Sequence, residues 1–170
     1  MKSRRAAPPA TKERPLDELY GMAGHLIRRL NQISTSVFAE KMKEAGHDLT
    51  PVQFGALSAL RTNPDVDQAT LAGLIAHDRV TMGAVLDRLQ NKGLIARNVS
   101  PTDRRARILT LTDQGQQVLA EVEPIVWQLQ DEILCGLEDD EKALLLRLMR
   151  KVADAGNARS RAPLHLPQGR

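Results

Sequence analysis

Apolar residues near the start of the chain recur at alternating steps of three and four: Leu16, Leu19, Ala23, Leu26, Leu30, Ile33 and Val37. That spacing predicts a helix with a heptad-like stripe, occupying residues 15–48 and ending near Gly46. Tyr20, Ile27 and Phe38 widen the stripe beyond a simple seam, so the helix should pack on more than one partner. Thr50-Pro51-Val52-Gln53 then reads as a helix start, with a Thr cap, Pro at the first position and Gln three residues after the cap. The helix it opens carries Phe54, Leu57 and Leu60 and stops before Asn63-Pro64. A short third helix holds Leu71, Leu74 and Ile75. Ala76-His77-Asp78 makes a tight turn, with Asp78 placed to cap the next helix and Gly93 to end it.

From Asp78 the pattern changes period. A helix over 78–93 is followed by the strand-like run Leu94–Val99, a polar loop over 100–107, and a second strand-like run, Ile108–Thr112. Thr112 and Asp113 open another long helix, striped by Leu119, Val122, Val126, Leu129 and Ile133, with a kink or restart expected at Pro124. A last helix covers Glu138 to Ala155, with Leu144, Leu145, Leu148, Met149 and Val152 on its apolar face. Residues 1–14 and 157–170, rich in Pro and Arg, are expected as flexible ends, either solubilising or supplying extra phosphate contacts. The fold class is therefore mainly α with a small β-hairpin wing. Its lobe over 49–112 has the order of a winged helix-turn-helix, flanked by helical segments over 15–48 and 113–156.

Charge adds a second, independent pointer. The net charge of +3 is small, but it is unevenly placed. Residues 1–14 hold five Lys/Arg and one acid, and 156–170 hold three Arg and no acid, which leaves 15–155 at a net −4. Within that acidic body, residues 79–107 carry seven basic and two acidic side chains. A local basic patch on an acidic scaffold is the footprint of a polyanion-binding face. Only four aromatics are present, so Leu, Ile, Val and Ala must build the core. A single cysteine, Cys135, leaves no internal disulfide and no multi-cysteine zinc site, which suits a reducing compartment. No apolar run approaches the roughly 20 residues that span a bilayer, and no secretory signal is visible. Cytoplasmic residence is expected, with no membrane partner, no cofactor and no metal. Four scattered histidines and the lack of a Gly-rich phosphate loop supply no catalytic constellation, so an enzyme is not expected. A helical module whose basic loop contacts another protein is the alternative outside DNA binding.

A helix that enters the major groove presents small or polar side chains along its N-terminal half and buries its other face. In the 78–93 helix, Val80, Val85, Leu86 and Leu89 are expected inside. Arg79, Thr81, Met82 and Gly83 are left for the groove, with Met82 available to a thymine methyl and Arg88 and Lys92 near phosphate level. In the loop, Arg104, Arg105 and Arg107 sit where a guanidinium can enter a narrow, electronegative minor groove. Asp103 is placed to orient Arg105 through a charge-assisted hydrogen bond.

With these residues in view, the chain from about Leu26 to Ala155 resembles the MarR family of bacterial transcription regulators. The likeness is carried by Leu49-Thr50-Pro51-Val52-Gln53-Phe54, Val85-Leu86-Asp87-Arg88-Leu89, Lys92-Gly93-Leu94-Ile95, Asp103-x-Arg105, and Leu109-Thr110-Leu111-Thr112-Asp113-Gln114-Gly115. It implies a homodimer in which N- and C-terminal helices of both subunits intertwine, bound to a pseudo-palindromic operator and usually repressing nearby genes. By the same motif match, Arg105 is the minor-groove arginine, Asp103 its orienter, and Thr81 part of the recognition helix.

Many proteins of that family release DNA when a small, often aromatic, anionic ligand binds. Apolar walls with a cation or neutral donor are needed, and His25, Arg29, Phe54 and His77 are candidates. Each has a plainer role open to it: a structural histidine at 25, a solvated charge at 29, a turn-stabilising ring at 77. Arg28-Arg29-Leu30-Asn31-Gln32-Ile33 and Glu44-Ala45-Gly46-His47 resemble the branch that controls degradation of nicotinate and related aromatic acids, which makes 6-hydroxynicotinate a ligand to test. A regulator without a small-molecule ligand is the alternative. A thiol switch at Cys135 is another, although the peroxide-sensing relatives carry their reactive cysteine on the first helix, and Cys135 among Ile133, Leu134 and Leu137 is expected as an inert packed thiol.

Overall fold

The computed structural model describes residues 16–103 and 105–166. Expectations for residues 1–14, Arg104 and 167–170 therefore lie outside the described residues. The chain divides after Ser34 into two units.

The first unit contains α1 (Leu16–Tyr20) and the start of α2 (Ala23–Glu44). The single helix expected over 15–48 is interrupted at Gly21-Met22, so the stripe is carried on two helices. Leu16, Leu19, Tyr20, Leu26, Ile27, Leu30 and Ile33 are all exposed in this chain.

The second unit holds the rest of α2, then α3 (Pro51–Thr62), α4 (Gln68–Leu74), α5 (Arg79–Asn91), β1 (Ile95–Val99), β2 (Arg107–Leu111), α6 (Asp113–Ile133) and α7 (Asp139–Gly156). This is the expected mainly helical fold with one antiparallel hairpin, in which Ile95 pairs with Leu111 and Val99 with Arg107. The capping box that starts α3 forms as predicted: Thr50 Oγ1 accepts from the Gln53 amide at 3.3 Å, and Gln53 Oε1 accepts from the Thr50 amide at 3.1 Å. Gly46 and Gly93 take φ of 77° and 72°, the left-handed geometry that lets a helix end without a Cβ penalty.

The core is one continuous cluster. Phe38 and Met42 of α2 meet Leu57 and Leu60 of α3, Leu71 of α4, Met82, Leu86 and Leu89 of α5, Ile95 and Leu109 of the hairpin, and Leu119, Val122 and Leu129 of α6. Leu109 does double duty. Its amide donates to Val66 O at 2.9 Å and its carbonyl accepts from the Asp65 amide at 3.2 Å, so the α3–α4 connection acts as a third, one-bridge strand beside the hairpin. That bridge fixes the base of the wing to the helix-turn-helix.

α6 runs through Pro124 without a restart. The imide nitrogen cannot donate to the carbonyl four residues back, yet apolar contacts from Leu119 and Val122 before it and Leu129 after it hold both halves on the same core. Cys135, expected to be packed, is exposed. It lies in the turn after α6, where Gly136 (φ 89°) carries the chain away from the core.

α4 begins at Asp67, whose Oδ1 accepts from the Thr70 amide at 2.7 Å. That hydrogen bond to the backbone is the first cause holding the Asp67 carboxyl below its ordinary value. Because the folded value is the lower one, the cap's contribution is present at neutral pH, above the unfolded value of about 3.9, and is lost as pH falls through the folded value. Asp67→Ala should cost about 1 kcal/mol at pH 7. In urea unfolding its deficit against wild type should shrink below pH 4, and a pH-independent deficit would contradict the assignment.

Candidate nucleic-acid interface

α5 is set up by its first turn. Asp78 Oδ1 accepts from the amides of Val80 at 2.9 Å and Thr81 at 3.3 Å, capping the N-terminus. Thr81 Oγ1 lies 3.1 Å from Asp78 O and 3.1 Å from His77 Nε2, so this hydroxyl stitches the turn to the helix. If it donates to the carbonyl, His77 must carry its proton on Nε2, and the threonine oxygen keeps a lone pair for an outside donor. His77 thereby has the turn-stabilising role left open by the sequence.

The face of α5 differs from expectation at two residues. Met82 is fully buried, and Val80 is 90% exposed. The buried stripe is Met82, Leu86 and Leu89, spaced four and three. Val80 lies two residues from Met82, about 200° around the helix, which turns it outward. Met82 therefore cannot reach a base, and the apolar groups this helix exposes beside Arg79 and Thr81 are the side chains of Val80 and Ala84. Arg88 is exposed with them, while Gly83 is half-buried.

Lys92, expected near phosphate level, is half-buried and engaged with Asp48: its Nζ lies 2.9 Å from Oδ2 and also donates to the Asp48 carbonyl. The same lysine holds the Asp48 carboxyl below its ordinary value, chiefly through the hydrogen bond. It ties the C-terminal end of α5 to the loop before α3. Arg97 on β1, not singled out by sequence, makes a comparable tie at 2.6 Å to Asp87 on α5. That pair offsets the carboxylate on an otherwise cationic helix.

In the wing, the Ser100 amide donates to Ala106 O at 3.0 Å, and the Ala106 amide to Asp103 O at 3.0 Å. Asp103 Oδ1 accepts from the backbone amide of Arg105 at 2.9 Å. That carboxylate shapes the turn that presents Arg105, because a side chain two residues upstream of an amide closes an Asx-type ring with little entropy loss. Arg105 and Arg107 are exposed. Arg105→Ala should weaken binding to a specific DNA site by about 1.5–3 kcal/mol, the size of a hydrogen bond to a charged group. Anisotropy titration would read this as roughly 10- to 150-fold; unchanged affinity would remove the wing arginine from the interface.

The four candidate ligand residues divide between the units. His25 and Arg29 are on α2 in the first, where the His25 ring lies 5.5 Å from that of Tyr20 and Arg29 is exposed. In the second, Phe54 packs on Phe38 with ring centroids 6.2 Å apart at the edge of the core. A groove of about 980 Å³ in that unit is lined by residues of 62–79 with His165 and Leu166, and by none of the four candidates.

A family model described as MarR family matches residues 47–106, the segment from the α3 cap to the wing. Transcriptional regulator HosA of Escherichia coli O111:H- is 31% identical over 137 residues, covering 81% of this chain and 98% of its own. The structure describing regulation of DNA binding of Bordetella bronchiseptica BpsR by 6-hydroxynicotinic acid superposes with a TM-score of 0.73 at 30% identity, over 79% of this chain and 95% of that one. The transcriptional repressor CouR bound to a 23-mer DNA duplex gives a TM-score of 0.73 at 31% identity, over 84% of this chain and 99% of that one.

Proposed function

The chain belongs to the MarR family of DNA-binding transcription regulators, and from that premise we propose that it acts as a homodimeric repressor, released from a pseudo-palindromic operator by a small aromatic acid. The observation that carries the DNA part is the pairing of an outward Arg79-Val80-Thr81 edge on α5 with an exposed Arg105 on a wing tied to it by Arg97 and Asp87. One element suits the major groove and the other the adjacent minor groove.

The homodimer is supported by apolar surface that the described residues leave exposed. Besides the stripe of the first unit, α7 exposes Leu144, Leu146, Leu148, Met149 and Val152, and α6 exposes Trp127 at 71%. Large exposed apolar side chains repeated along three helices are what an association face requires. Residues 15–48 and 113–156 are therefore assigned to dimerisation and 49–112 to DNA. The repressor reading follows CouR, and the effector follows BpsR, whose DNA binding 6-hydroxynicotinic acid regulates. His25, Arg29, Phe54 and His77 remain the proposed effector contacts, and the expected compartment is the cytoplasm. Among the described residues no helix is long and apolar enough to cross a membrane.

An effector must bind the DNA-incompetent arrangement better, by a free energy equal to the affinity it removes. Titration against the chain's own upstream intergenic DNA, with nicotinate, 6-hydroxynicotinate and salicylate added in turn, tests this. The expected result is at least tenfold weaker binding with 6-hydroxynicotinate, an equilibrium change of about 1.4 kcal/mol. Selective binding that none of the three acids weakens would sink the aromatic-acid assignment and leave the ligand-free regulator.

A further inference from the structure

Residues 157–166 were expected as part of a flexible end, yet they fold back on the DNA-reading lobe. After α7 a 3-10 turn, Asn157–Arg159, reverses the chain. Asn157 then closes a ring of its own: its Nδ2 donates to Leu164 O at 3.0 Å and its Oδ1 accepts from the Leu164 amide at 2.7 Å. The Ala162 amide donates to Ser160 Oγ at 3.1 Å. Beyond that ring the His165 amide donates to Gly73 O on α4 at 2.9 Å. The His165 side chain rests on the bare Gly73 backbone, so closely that a Cβ at 73 would lie 3.1 Å from its Cδ2. The strap brings Arg161 to the start of α5, where its Nε lies 3.0 Å from Asp78 Oδ2.

We propose that Arg161 is an additional DNA-phosphate contact, delivered by this strap to the N-terminal edge of the recognition helix. The inference rests on the DNA-binding reading above. In a winged helix-turn-helix the N-terminal residues of the recognition helix approach the bases, so the group beside its cap lies close to a flanking phosphate. Asp78 divides its carboxylate, with Oδ1 on the Val80 and Thr81 amides and Oδ2 on Arg161. One oxygen thus builds the helix start, and the other fixes a guanidinium there by Nε alone. The Arg161 side chain is 86% exposed, which leaves the fork of its terminal nitrogens open to a phosphate. Two features set a contact above an autoinhibitory cover. The strap carries Arg159 and Arg161 and no acid, so its charge attracts a polyanion. The pair also cancels the Asp78 carboxylate, which would otherwise face the DNA backbone.

The test is the salt dependence of binding by the full-length chain to its own upstream intergenic DNA, for wild type, Arg161→Ala, Arg161→Lys and Arg159→Ala. Each neutralised phosphate contributes a slope of about −0.9 in log K against log salt. Arg161→Ala should reduce the slope magnitude by about that amount and weaken binding roughly 3- to 10-fold at 0.15 M salt, which one lost phosphate contact would give. Arg161→Lys should retain the slope, and Arg159→Ala should match wild type. A structural role at Asp78 alone would lower affinity without moving the slope, and that outcome would overturn the proposal. So would tighter binding in Arg161→Ala, the mark of a cover, or an equal loss in Arg159→Ala, the mark of diffuse tail charge. Wild-type protein that binds no DNA would overturn the underlying reading as well, and so the two failures are distinguishable.

Discussion

Gly115→Ala is expected to lower stability by more than about 4 kcal/mol, the range of a backbone clash that cannot relax. Gly115 is in the first turn of α6, where its amide donates to Thr112 Oγ1 at 3.0 Å. The same hydroxyl donates to Gly93 O at 2.6 Å, and the Thr112 amide donates to Leu94 O at 3.2 Å. The start of α6 is thereby pressed against the residues that join α5 to β1. A Cβ at position 115 would overlap the Leu94 carbonyl oxygen and lie 2.9 Å from its carbonyl carbon. Those are backbone atoms of a buried residue, so no side-chain rotation relieves the contact. Alanine gains about 1 kcal/mol of helix propensity over glycine, too little to offset it. Thermal melting should fall by roughly 8 °C or more, at about 2–4 °C per kcal/mol for a chain of this size. A variant melting at or above wild type would show that the first turn of α6 does not lock the wing.

Met82→Ala should cost about 2–5 kcal/mol, the range for emptying a buried methionine site. Met82 is fully enclosed and belongs to the same cluster as Leu57, Leu86 and Leu119. The folded protein should bind DNA within about threefold of wild type, since no Met82 atom reaches the surface and a threefold change is under 1 kcal/mol. Val80→Ala should do the reverse. Removing two exposed methyl groups should change stability by no more than about 0.5 kcal/mol. It should lower affinity for a specific DNA site. Measured together by urea unfolding and DNA titration, the two variants separate core from groove. Normal stability with lost affinity in Met82→Ala would restore the original assignment and contradict the packing of α5.

Much of the lobe was legible because its signals are local. The Thr50–Gln53 capping box, the Asp78 cap and the left-handed Gly93 each depend on a few adjacent residues, and each formed where the sequence placed it. The exchange of Val80 and Met82 had a different origin. The orientation of a helix is set by its whole stripe and not by the character of one side chain. The spacing Met82, Leu86, Leu89 was available in the sequence and would have found it. Asp103 meets Arg105 at its backbone amide, the nearest donor to a carboxylate in a tight turn. The Lys92–Asp48 and Arg97–Asp87 pairs and the strap over Gly73 depend on contacts between distant segments, which periodicity does not encode. The break of the first helix at Gly21-Met22 carries a local signal, since a glycine costs about 1 kcal/mol in a helix interior, but the apolar stripe continues across it and hid the interruption.

The most direct test of the central claim is hydroxyl-radical footprinting of the chain's upstream intergenic DNA by wild type and Arg105→Ala. The account predicts protection in two half-sites whose centres are about one helical turn apart, as two identical reading heads require. It further predicts that minor-groove protection beside each half-site is lost in Arg105→Ala. Protection no stronger than on unrelated DNA, or a footprint identical in both proteins, would contradict it.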